Sequence, residues 1–156
     1  MNTVTGFVKK QSLGFYLFVL SAILGIIGVA LFTNSVSIAE GKFYDGWNQS
    51  AVLYMALSIA AGCLSAIVTH VGKNVPARLV GDVLAVAGAA LVGVVIVCFL
   101  WATVEELGIY YGSSLDDGNP AVIAAVGMLI KAMVLEGVAL LCALLRLFVK
   151  TNKNEK

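Results

Sequence analysis

A chain of 156 residues that is 60% hydrophobic and 12% charged, with a mean hydropathy of +0.98, has more apolar surface than a soluble domain of its length can cover. The net charge is +1 and no basic patch interleaved with aromatics occurs, so nothing points to a nucleic-acid partner. One histidine and three cysteines, none in a CxxC, leave no haem held by two histidines, no His-rich metal centre and no disulfide framework, and neither a metal nor another cofactor is expected.

The chain starts polar, with Lys9 and Lys10, and the first apolar run covers residues 13–33 without a charge, which is spanning length. A signal peptide cleaved after Ser37-Ile38-Ala39 is the rival reading, but the run exceeds the usual apolar length of such signals. Ser21, Gly25 and Gly28 offer this helix a close-packing face. The loop that follows holds Glu40, Lys42 and Asp45 beside Phe43, Tyr44 and Trp47, aromatics suited to the water–lipid boundary. Asn48-Gln49-Ser50 matches a glycosylation sequon, a triplet that also arises often by chance.

The second run, 50–71, has Ser58, Gly62 and Ala66 at spacing four and ends at His70, which reads as a solvated residue at a helix end. Lys73 and Asn74 make a tight turn, and Pro76 suits the first turn of the third run, 77–103. Gly81, Ala85, Ala89 and Gly93 form a small-residue stripe at spacing four, the strongest helix-packing signal in the chain. Asp82 lies one turn inside, within reach of Arg78, Arg146 or Lys150, or free to extend to the interface. Residues 104–119 read as a solvated acidic loop with Glu105, Glu106, Asp116 and Asp117.

The fourth run, 120–149, has Asn119 as N-cap and Pro120 at the first helical position. It alone carries ionisable residues in its middle, Lys131 and Glu136. On a helical wheel Glu136 shares a stripe with Ala125, Ala132, Ala139 and Ala143, and Lys131 shares another with Ala124 and Gly127. Both charges thus lie among small residues and are expected to face protein, either as a buried structural pair or as an ion or proton site. Spacing of five is poor for an intrahelical pair, so each could also find a partner on another helix.

Lys9, Lys10, Lys73, Arg78, Arg146, Lys150, Lys153 and Lys156 fall on one side of a four-span arrangement and only Lys42 on the other, which predicts that both termini are cytoplasmic. The expected fold is all-α: a single integral membrane domain, 1–156, folded as a left-handed up-down-up-down bundle of four transmembrane helices in the cell membrane. Three four-span families are set apart by residues this chain lacks. The first helix has no acid of the kind small multidrug transporters use. The paired cysteines of quinone-linked thiol oxidoreductases are missing, as are the first-outer-loop cysteines of claudin-like proteins. With no nucleophile and base, phosphate loop or paired acid and base, the sequence predicts a non-enzymatic protein. Its expected role is an accessory or assembly subunit, with the lipid bilayer and either a second copy or a larger membrane protein as partner. The alternative is a small oligomeric transporter or ion or proton conductor that uses Lys131 and Glu136.

Overall fold

The computed structural model describes residues 13–38, 46–72, 75–112 and 119–149. They form four helices: α1 Leu13–Ile38, α2 Gly46–Val71, α3 Val75–Gly112 and α4 Pro120–Leu147. Each is long and apolar enough to cross a membrane. Their outer surface is apolar as well, with Ile26, Leu53, Val83, Val97, Ile130 and Leu141 exposed. A soluble monomer rarely shows so continuous an apolar exterior. The chain is a small multi-pass membrane protein.

Three helices run past the apolar runs that predict them. α1 continues through Thr33, Asn34 and Ser35 because their side chains find partners in the bundle or along the helix. Thr33 Oγ1 donates to Asn48 Oδ1 at 2.8 Å and Ser35 Oγ donates to the Phe32 carbonyl at 2.7 Å. α2 begins earlier than residue 50, and its Trp47 stacks on Trp101 with ring centroids 6.2 Å apart. α3 takes in residues 104–112 of the expected acidic loop, since Glu105, Glu106 and Leu107 are sound helix formers with no breaker among them. The rest of that loop, with Asp116 and Asp117, lies outside the described residues, as does most of the connection carrying Lys42. α4 starts as expected: Asn119 Oδ1 accepts from the Ala121 N–H at 3.0 Å, and Pro120 follows in the first turn.

The helices alternate in direction around a ring. Ser21 meets Ala139 while Asn34 meets Met128, so α1 and α4 are antiparallel. Ser58 meets Gly88 while Thr69 packs at Gly81, so α2 and α3 are antiparallel too. These two pairs are the closest in the molecule; α3 with α4 and α1 with α2 complete the ring more loosely. Phe32 and Phe99 stack across the bundle, 4.1 Å between centroids, at the heart of the core.

Buried positions recur at alternating steps of three and four. α1 buries Ser21, Gly25, Gly28, Phe32 and Ser35, and α2 buries Ala51, Met55, Ser58, Gly62 and Ser65. α4 buries Val122, Ala125, Leu129, Ala132, Glu136, Ala139, Ala143 and Arg146. A repeat averaging 3.5 residues is the signature of a left-handed bundle with interlocking side chains.

Candidate functional site

Glu136 is the centre of the α1–α4 seam. It sits on the inner row of α4 between Ala132 and Ala139, and it is 0% exposed. Opposite it, α1 presents Gly25 and Gly28. A Cβ added at Gly28 would lie 2.8 Å from Glu136 Oε1, 3.0 Å from its Cγ and 3.1 Å from its Cδ. One added at Gly25 would lie 3.6 Å from Oε2 and would collide with the Met55 side chain. The two glycines therefore form a cradle that only a missing side chain leaves open. Neither carboxyl oxygen has a hydrogen-bond partner. One turn further along, the hydroxyl of Ser21 is committed to the Ala139 carbonyl at 2.8 Å.

Lys131 is placed differently from its expected position. It is exposed on the outer side of α4, and so is Ala124 of its stripe. A Cβ added at Gly127 would meet nothing within 4 Å. α4 has one close neighbour, α1, and the alanine row beside Glu136 already fills that contact. The second small-residue stripe is left facing outward. Lys131 and Glu136 do not form a pair, and they point about 140° apart around the helix.

The α3 stripe also divides. Gly81 and Ala89 are buried, Ala85 is half-buried against a small cavity, and Gly93 has no atom within 4 Å of an added Cβ. Close approach to α2 passes instead through Gly88, where an added Cβ would lie 3.3 Å from the Ser58 carbonyl oxygen. Ser58 Oγ also donates to the Gly88 carbonyl at 2.8 Å. Steps of four advance about 40° per step around a helix, so twelve residues carry the stripe about 120° off the seam. The seam itself follows Gly81, Gly88, Val92, Val95 and Phe99.

Arg146 is the residue that sequence reasoning left outside. Treated as an interfacial base, it is only 6% exposed. Its Nη2 donates to Ser65 Oγ at 3.1 Å and to the Gly62 carbonyl at 3.3 Å, and its guanidinium lies 4.6 Å from the Phe18 ring centroid. Its Nε has no partner. The signal was present: Arg146 continues the inner row of α4 from Ala139 and Ala143 in steps of four and three. It is thereby withdrawn from Asp82, which is exposed. Arg146 borders a cavity of about 20 Å³, shared with Ser21, Met55, Ser58 and Gly88. That is room for about one water.

The three cysteines, each within an apolar run and so read as packing residues, divide. Cys98 and Cys142 are buried, whereas Cys63 is exposed. Cys63 and His70 line an apolar cleft of about 390 Å³ between α1 and α2, with Phe15, Phe18 and Ile67. Among the described residues, no three of His, Cys, Asp and Glu gather where one metal ion could sit. Comparison with protein-family models, with curated proteins and with solved structures finds no match for the chain.

Proposed function

We propose that the protein is a non-enzymatic accessory or assembly subunit of a membrane complex, and that the outer face of α4 is where its partner docks. The reading has it in the cell membrane with both termini in the cytoplasm. The observation that supports it is the exposure of Lys131. α4 is about 42 Å long, so a 30 Å hydrocarbon core centred on it begins about 6 Å from each end. Lys131 then lies about 11 Å below the nearer edge, deeper than its stem of about 6 Å can span. An ammonium at that depth facing lipid costs about 2.5–3.5 kcal/mol on insertion scales. A partner helix with an acid at the same depth removes that cost. Ala124, exposed on the same stripe, and Gly127, half-buried with open space where a Cβ would be, allow its backbone to come close.

A second copy is a poorer occupant of this face. Among the acids of the four helices, Glu136 is buried, Asp82 lies about 10 Å from the start of α3 at the opposite end of the bundle from the outer half of α4, and Glu105 and Glu106 lie past the apolar span Val75–Val104 rather than at the depth of Lys131. The transporter or conductor reading asks Lys131 and Glu136 to share a pathway. Their divergence around α4 gives that reading less support.

A photo-crosslinking amino acid at Gly127, with a control at Val83, tests the proposal in native membranes. The expected product at Gly127 is an adduct with a membrane helix that carries an acid, lost when Lys131→Met is introduced. The Val83 position should give none. Equal protein adducts at both positions, or a Gly127 adduct indifferent to Lys131→Met, would overturn the docking face.

A further inference from the structure

We propose that the Gly25–Gly28 cradle with Glu136 is an interior proton-binding site: Glu136 takes up and releases a proton within the α1–α4 seam. The inference is independent of the docking face, which lies on the other side of α4.

The geometry narrows the ligand. Both carboxyl oxygens are sealed from solvent and neither has a hydrogen-bond partner among the described residues. Divalent cations take several ligands, and among the described residues no group of three His, Cys, Asp or Glu side chains gathers at this carboxyl to supply them. A proton needs only the carboxyl itself. An isolated buried carboxylate costs far more than the neutral acid, so the closed seam described by the structure suits the proton-loaded form.

Among the described residues, no cation balances the charge. α1, which carries the cradle, has Tyr16 as its one titratable residue, twelve positions and about 18 Å along the axis from Gly28. α2 brings Met55 to the site; its titratable residues are Tyr54, Cys63 and His70, of which Cys63 and His70 are exposed. α3 brings the buried Cys98, while Arg78 and Asp82 are exposed near its start. On α4, Lys131 points outward, and Cys142 and Arg146 lie about 9 and 15 Å further along the axis.

A route to water is also built in. Met55 touches the space beside Gly25 where Glu136 Oε2 lies, and it lines the cavity at Ser21, Ser58 and Arg146. Met55 is thus the side chain between the carboxyl and a space for one water. Methionine is the most adaptable apolar side chain, with three rotatable bonds. Its displacement joins the carboxyl to the cavity, and release of the proton then loosens the α1–α4 seam.

Infrared difference spectroscopy on the full-length protein in liposomes tests this without needing a reagent to enter the seam. Above the pH at which exposed acids are ionised, wild type is expected to show the carbonyl stretch of a protonated carboxyl. The band should shift on labelling with [13C]glutamate but not with [13C]aspartate, and be absent from Glu136→Gln. It should disappear reversibly on further alkalinisation and be unmoved by sodium or calcium. If Glu136→Gln does not fold, the isotope shift in wild type decides alone, since among the described residues Glu136 is the only glutamate inside a span. Absence of the band, a band that never titrates, or its removal by a metal cation would each overturn the proposal.

Discussion

Glu136 and Lys131 are five residues apart on α4, one with its whole side chain enclosed and the other on the bundle's exterior. Their position in the middle of a helix long enough to span was legible in the sequence, because they are the only charges in the middle of an apolar run. Their direction was not, because small residues surround each, and small residues promise a neighbour without saying which stripe the neighbour covers. The sequence leaves open a buried pair that fixes helix docking, and the structure separates the two groups. Thermal stability in detergent should show the difference. If the residues formed a pair, removing one would strand the other and the double variant would recover much of the loss. With the groups separated, the effects of Glu136→Gln and Lys131→Met should instead add, within about 0.5 kcal/mol. A double variant more stable than that sum by a clear margin would restore the pair and remove the basis for the docking face.

Between elements, the seams are set by a 3.5-residue repeat rather than by the densest small-residue stripe. The four-spaced residues Gly81, Ala85, Ala89 and Gly93 make the stronger pattern to the eye. Yet a left-handed bundle keeps α3 in contact through Gly88, Val92 and Val95, and Gly93 rotates away. The same repeat runs through α1, α2 and α4 and carries Arg146 inward, so a search for alternating steps of three and four would have found a buried guanidinium that hydropathy alone assigns to the interface. The distinction has a measurable consequence. Ala89 is 4% exposed, and Ala89→Leu should overpack the bundle at a cost of about 1–3 kcal/mol. Gly93→Leu projects into open space and should stay within about 0.5 kcal/mol of wild type. Melting curves of the two variants in one detergent compare them directly. Equal losses would mean that the whole four-residue stripe is packed.

At the scale of the whole molecule, four antiparallel helices make an apolar cylinder whose two ends differ in charge. Class and number of spans were legible, since run lengths and the positions of the basic residues agree on four. Helix ends were less so, because Thr33, Ser35 and Trp47 extend helices through contacts that only the folded bundle supplies. By chain order alone, the sequence assigns Lys9, Lys10, Lys73, Arg78, Lys150, Lys153 and Lys156 to the end that bears both termini, against Lys42 at the other. The inward turn of Arg146 takes one charge out of that balance and leaves its sign unchanged. By the positive-inside rule a bias of this size predicts a cytoplasmic basic end. A single cysteine at Asn2 or Asn154 should therefore resist an impermeant thiol reagent in intact cells and react once the cells are opened. A cysteine at Gly118, in the connection between α3 and α4, should react without opening. The native Cys63, Cys98 and Cys142 lie within spans and give a low background in the parent protein. The opposite labelling pattern would invert the molecule. Lys131 would then sit in the cytoplasmic half of the bilayer, and the cavity at Arg146 in the outer half.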